Sequence, residues 1–466
     1  MKNIFILIIF CIFCFCLFSW PGLGEADEII AEGSYNMGDG ETPTVAESRA
    51  LLNAKRAALE RAGTYVESYT KVRNFQLTQD QIQVLASGLM EVSILEKRRS
   101  VAEEGIRFWV KIKATVIPSR IEELAKNVKE KPVEEDYKRL YENYEKLAKE
   151  MELLKRELKE AKSGIEKKQI EAKISDSERL FQANEWVEKG RKQYLDKQYD
   201  EAIISYTSAT DLNPHSAVGF SGRCLTYWKK GQYDRAIQDC NRAIGINPNL
   251  TSAYNNRGIV YSRKGQYDRA IEDYCKAIDL DSNYAVAYNN RGNAYTRKGQ
   301  HDRAIADFNW AIGIQPDYAL AYSNRGDAYV GKGQYDRAIQ DCNQAIDLDP
   351  SSALAYNTRG IAYSRKGEND RAIEDYDRAI SLDPKSAAAY NNRGNAFLRK
   401  GEIDRAIEDY NRAIGIQADY ALAYSNRGNA YYKLENLPQA TKDYKTAARL
   451  GHKGSQEWLR KRGEKW

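Results

Sequence analysis

The sequence predicts a mainly α fold: an α-solenoid of eight 34-residue helix-turn-helix repeats, with a coiled-coil helix and a small N-terminal α+β domain ahead of it. A 34-residue period runs without insertion or deletion from Ala183 to Gly454. A period held that strictly marks stacked units rather than one globular core. Before it, apolar residues from Tyr137 to Ile165 recur at alternating steps of three and four, the spacing of a helical seam. Nearer the N-terminus, Ile106, Phe108, Val110, Ile112, Ala114 and Val116 alternate along the chain, the two-residue period of a half-buried strand.

Residues 1–24 read as a signal peptide. Lys2 precedes an apolar run from Ile4 to Phe18, followed by Trp20-Pro21-Gly22-Leu23-Gly24. That run is shorter than the roughly 20 residues needed to span a bilayer, and the small residues before a cut complete an export signal. The expected location is the periplasm or cell envelope, with an inner-membrane anchor formed by the uncleaved segment as the alternative. Cys11, Cys14 and Cys16 lack the preceding small residues of a lipoprotein signal.

Residues 27–118 read as the α+β domain. Glu28 to Tyr35 is strand-like, Val45 to Thr70 is an Ala-rich helix, and Asp80 to Met90 is a second helix. Ile94 to Val101 and Ile106 to Val116 form a hairpin around Glu103-Glu104-Gly105. The order resembles the amino-terminal domain of flagellar assembly protein T and related bacterial envelope lipoproteins. That resemblance implies an envelope location and no chemistry.

Residues 119–182 are expected to form the coiled-coil or helical linker. Tyr137, Leu140, Tyr144, Leu147, Met151, Leu154, Leu158, Ala161 and Ile165 take the a and d positions of residues 137–165. Glu150 with Lys155, and Glu157 with Lys162, supply g-to-e pairs that favour a parallel homo-oligomer. A solvated single helix joining two domains is the alternative.

Residues 183–454 hold the repeats, numbered here from position 1 of each unit. Position 8 is Gly in every unit except the second, where it is Cys224; positions 20 and 27 are always Ala. Position 4 is aromatic throughout, from Trp186 to Tyr424, and position 24 is Tyr or Phe except at Cys240 and Cys342. Aromatics on one face and small residues opposite let two antiparallel helices approach closely. Pro at position 32, as in Pro248 and Pro316, stops the second helix. Units two to eight pair Arg at position 7 with Asp at position 23, from Arg223 and Asp239 to Arg427 and Asp443. That repetition predicts a bidentate contact between the two helices. Residues 455–466 are expected to form a C-terminal capping helix, Ser455 to Arg462, since an open repeat end needs a polar cover.

These positions resemble the tetratricopeptide repeat (TPR) family of bacterial type. The resemblance implies a protein-binding concave face on the first helix of each unit. Asn256, Asn290, Asn324, Asn392 and Asn426 stand at position 6, and Asn293, Asn395 and Asn429 at position 9. This is similar to the asparagine ladder of superhelical TPR proteins such as the O-GlcNAc transferases, whose catalytic domain has no counterpart here. Carboxamides both donate and accept, so such a ladder suits the peptide groups of an extended segment. The alternative is a surface Asn copied along with the repeat. Arg263, Arg297, Arg365 and Arg399 at position 13 add a basic rim that favours acidic segments, or serve as ordinary helix-end charges.

Composition excludes several classes. With 71 basic and 66 acidic residues the net charge is only +5, too weak a field to imply nucleic acid. Three His, in three different repeats, give no metal pair. No phosphate loop or placed nucleophile is present, so neither catalysis, a cofactor, a metal nor a small-molecule substrate is expected. Cys224, Cys240, Cys275 and Cys342 read as small buried thiols, with a Cys224–Cys240 bridge as the alternative in an oxidising compartment. The expected function is a non-enzymatic interaction scaffold of the bacterial cell envelope holding extended peptide segments. The alternative is a purely structural subunit of an envelope, secretion or flagellar-type assembly without a peptide groove.

Overall fold

A computed structural model describes residues 27–37, 43–72, 90–102, 105–116, 146, 147, 149, 150, 153, 154 and 156–466. The expected signal peptide and the helix expected from Asp80 lie outside the described residues. The chain divides into two compact units, Met1–Ala253 and Tyr254–Trp466.

In the first unit, β1 (Asp27–Asn36), α1 (Pro43–Val72), β2 (Met90–Ala102) and β3 (Gly105–Val116) form the α+β domain. The sheet is antiparallel in the order β1-β3-β2. β2 begins at Met90, four residues before the expected strand. A bulge between Ile94 and Glu96 follows that extra length and breaks the two-residue period that would have joined it to the expected strand. Ala46, Ala50, Ala54, Ala58 and Ala62 line one face of α1 and pack on Phe108, Val110, Ile112, Ala114 and Val116. Four-residue spacing puts the alanines in one row. The approach is close: a Cβ at Gly33 would strike the backbone of Ala50 and Ala54. Lys111 and Lys113 pair with Glu32 and Glu28 across β3 and β1 on the other face.

Part of the stripe expected to form a coiled coil lies among the described residues and packs within the chain. A long helix, α2 (Gly164–Leu195), starts at Ser163, whose hydroxyl accepts from the Glu166 amide at 3.1 Å. The described residues of the seam precede that turn and are spent inside the chain. Leu154, Leu158 and Ala161 bury against Ile170 and Ile174 of α2, and Leu147 against Phe181 and Val187. Ile165, assigned to the same seam, is exposed. A three-four spacing encodes an apolar stripe but not the identity of the helix covering it, and among the described residues α2 covers it. Leu154→Asp with Leu158→Asp should therefore lower the melting temperature by several degrees and leave the sedimentation coefficient unchanged. A wild-type oligomer that this variant dissociates would contradict the assignment. α2 also runs on through the expected boundary at 182/183 as the first helix of repeat 1.

The same helix receives the α+β domain. Leu195 packs against the sheet core, Lys192 Nζ donates to Met90 O at 3.2 Å, and Arg49 stacks on Phe181 at 5.9 Å. Burial pushes the Glu185 carboxyl of α2 up to about 7, Lys55 of α1 opposing and Glu188 adding to the shift. A carboxyl raised in the folded state binds its proton there at pH values where the unfolded chain has lost it. Stability should therefore fall as pH rises from about 4.5 to about 7. Glu185→Gln should flatten that part of the melting-temperature profile and raise the melting temperature at pH 8; an unchanged profile would refute it.

From repeat 2 onward each unit is a pair: helix A, such as Ala285–Arg297 or Ala319–Gly331, and helix B, such as His301–Ile314 or Tyr335–Leu348. Position 8 lies under the ring at position 24. A Cβ at Gly292 would stand 2.7 Å from Phe308, and one at Gly258 2.6 Å from Tyr274. The position 7 guanidinium binds the position 23 carboxylate through two nitrogens in units two to eight. Arg291, for example, meets Asp307 at 2.8 Å through both Nε and Nη2. Its third nitrogen reaches position 25 of the preceding helix B, as in Arg325 to Asn309 at 2.6 Å and Arg359 to Asn343 at 2.7 Å. One side chain thus ties three helices.

The cysteine expectation is corrected at one pair. Cys224 and Cys240 form a disulfide, while Cys275 and Cys342 are free thiols. The reason is the contact just described. The two cysteines replace both the Gly at position 8 and the ring at position 24, so two small groups face each other where a ring normally fills the space. At the C-terminus the helix Lys453–Lys461 packs on the last repeat. Leu459 is fully buried against Ala440, Tyr444 and Ala448, and Trp458 lies 4.3 Å from the Tyr444 ring.

Candidate functional site

Positions 2, 6, 9 and 13 fall at steps of four, three and four, and so share one face of helix A. Along unit 7 that face carries Ala388, Asn392, Asn395 and Arg399; along unit 8, Leu422, Asn426, Asn429 and Lys433. The expected site residues all stand on it, but most are engaged within the protein.

The carboxamides link neighbouring repeats. Asn290 Nδ2 donates to Asn255 Oδ1 at 3.0 Å, Asn324 to Asn289 at 2.8 Å, Asn392 to Asn357 at 3.0 Å, and Asn426 to Asn391 at 2.8 Å. Each bond joins position 6 of one helix A to position 5 of the preceding one, so successive A helices are in direct contact. Asn256 and Asn324 are buried, whereas Asn290, Asn392 and Asn426 are half-buried. At position 9, Asn395 Oδ1 accepts from Tyr410 OH and Asn429 Oδ1 from Tyr444 OH, each at 2.7 Å. Burial pushes the Tyr444 phenol up to about 12, so it remains a donor. Asn293 is half-buried and Asn429 exposed.

Two features escaped the sequence reading. Asn255, Asn289, Asn357 and Asn391 act as acceptors for the next repeat; the recurrence of Asn at positions 5 and 6 one unit apart is the trace of it in the sequence, without the pairing itself. The Nδ2 groups of Asn255 and Asn289 are buried without an acceptor. Position 2 also carries exposed leucines: Leu320 at 40%, Leu354 at 41% and Leu422 at 42% exposure, against 7% for Val286 in unit 4. Exposed Arg365, Arg399 and Lys433 occupy the other end of the same face. Arg399 donates to Ser364 O at 3.2 Å, a neutral partner that leaves its charge uncompensated. Unit 5 departs from this row. Gly331 stands at position 13, where any Cβ would collide with the His301 ring. Exposed Asp327 stands at position 9, near Arg297 and His301. Among the described residues no group of His, Cys, Asp and Glu is placed to hold a metal.

Two family models match the repeats. One described as a TPR repeat matches residues 225–265, 260–299, 292–333 and 326–367, and one described as a tetratricopeptide repeat matches 357–421. Among curated proteins none matches the chain. Among solved structures it is similar to a tetratricopeptide repeat protein from Parabacteroides merdae, at 22% identity and a TM-score of 0.45, covering 53% of this chain and 98% of that one. It is also similar to MamA, at 30% identity and a TM-score of 0.30, covering 35% and 96%. A third similar structure is YrrB, described as a TPR protein with an unusual peptide-binding site, at 28% identity and a TM-score of 0.30, covering 40% and 95%. With helix pairs in strict 34-residue register, Gly at position 8 beneath the position 24 ring, and both models falling on those pairs, this chain is a tetratricopeptide repeat protein.

Proposed function

We propose that the chain is an exported, non-enzymatic scaffold of the bacterial cell envelope that holds extended peptide segments on the helix A face. TPR arrays work through protein–protein interaction, and the observation carrying the reading is that face itself. It offers carboxamides at positions 6 and 9 in units 7 and 8 and Asn324 in unit 5, flanked by exposed leucines in units 5, 6 and 8 and exposed cations in units 6 to 8. The apolar run from Ile4 to Phe18, the Cys224–Cys240 disulfide and the strand-helix-hairpin order of residues 27–116 support the location.

A structural assembly subunit without a peptide groove is the second reading, favoured by the Asn-to-Asn bonds that use the ladder internally. Cross-linking and pull-down from envelope extracts separate the two. Asn290→Ala/Asn324→Ala/Asn392→Ala should lose the bound partners, and Asn293→Ala/Asn429→Ala should weaken them without removing any inter-repeat bond. Unchanged partners in both variants, each with a wild-type circular dichroism spectrum, would favour the structural role.

A further inference from the structure

The exposed chemistry of units 5 to 8 is arranged in rows that cross the repeats. Leu320, Leu354, Ala388 and Leu422 form an apolar row at the start of each helix A. Arg365, Arg399 and Lys433 form a cationic row at the far end, with the position 6 and 9 side chains between. The step along these rows is set by direct contact of neighbouring A helices, shown by the Asn bonds of 2.8 to 3.0 Å. Packed helices lie about 8–10 Å apart, and an extended chain rises about 3.1–3.4 Å per residue. One repeat therefore corresponds to three residues of a bound segment.

We propose that units 5 to 8 bind an extended segment with an apolar residue at every third position and an acidic residue beside each of those that meets units 6 to 8. The proposal rests on the peptide-binding reading above and specifies its ligand. A three-residue period is that of polyproline II, which turns every third side chain to the same edge. The leucine row takes that edge, and the acidic residues face the cationic row. Ala388 leaves more room than its neighbours, so the third apolar place takes the bulkiest side chain. The segment's acidic stretch stops short of unit 5, where Gly331 and Asp327 replace the cation with an acid.

The test uses the full chain and fluorescein-labelled twelve-residue peptides in an anisotropy titration. One peptide repeats Leu-Glu-Ser four times, a second shuffles the same residues, and a third replaces Glu by Lys. The triplet peptide should bind about tenfold or more tightly than either control, and lose that margin in Arg399→Glu and in Leu354→Asp. Both variants are checked by circular dichroism melts. Equal binding of triplet and shuffled peptides, lost in Asn293→Ala/Asn429→Ala, would leave the face a peptide site and overturn only the triplet rule. Failure of every peptide to bind the wild-type chain would overturn both. Self-association of the chain that disappears in Arg399→Glu would assign the face to a second copy and equally overturn the proposal.

Discussion

Asp307→Ala is expected to lower stability by about 3 kcal/mol, against about 0.5 kcal/mol or less for Asp302→Ala. The two residues lie on the same helix and both pair with a cation, so the difference isolates burial. Asp302 meets Lys332 with its side chain 83% exposed, where an ion pair gains little over water. Asp307 is 7% exposed and closes a two-bond fork with Arg291. Burial raises the Asp307 carboxyl in spite of the facing guanidinium, while against burial the same pair raises the Arg291 guanidinium; taking two charges out of water offsets much of what their attraction returns. The large cost of Asp307→Ala therefore comes from stranding Arg291, not from losing a strong bond. Arg291→Met/Asp307→Leu should then recover more than half of the loss. Equal melts for the two single variants, or a double variant worse than Asp307→Ala, would remove this account.

Gly326→Cys is expected to stabilise the oxidised chain by about 3 kcal/mol, the gain from closing a loop of this size. A Cβ built at Gly326 lies 2.9 Å from Cys342 Sγ, the separation a β-carbon keeps from the facing sulfur across a disulfide. The same two repeat positions are already bridged in unit 2, where Cys224 and Cys240 lie 16 residues apart. Unit 5 thus has half of that pair. In dithiothreitol the variant should melt no higher than wild type, because the added Cβ and thiol crowd a space that a Gly was serving. After air oxidation it should melt several degrees higher and titrate with no additional free thiol. An oxidised sample that still shows the extra thiol would count against the geometry.

The repeat register and the Arg-to-Asp forks were legible because each reports a local rule repeated many times. Arg at 7 and Asp at 23 appear and disappear together, and that recurrence places two helices side by side without any alignment. The seam between Leu147 and Ala161 was legible only as a stripe. The missing signal was Ser163 followed three residues on by Glu166, a helix start that turns the chain back on itself. The ladder was legible as surface polarity, but the pairing of Asn289 with Asn324 depends on the close passage of two backbones. That distance is set by packing and not by residue type. The same limit hid the exposure of Leu320 and Leu354, since position 2 of Val286 is apolar too and yet buried.

The Gly-and-ring contact has a consequence for how tolerance to mutation should be measured in this chain. Positions 8 and 24 share one volume: unit 4 divides it as Gly292 with Phe308, unit 2 as two linked cysteines, and unit 5 as Gly326 with Cys342. A scan that changes one residue at a time would score both sites as rigid. Changing them together would reveal a coupled pair with several solutions, and the epistasis between them would be strongest inside a unit and weak across units.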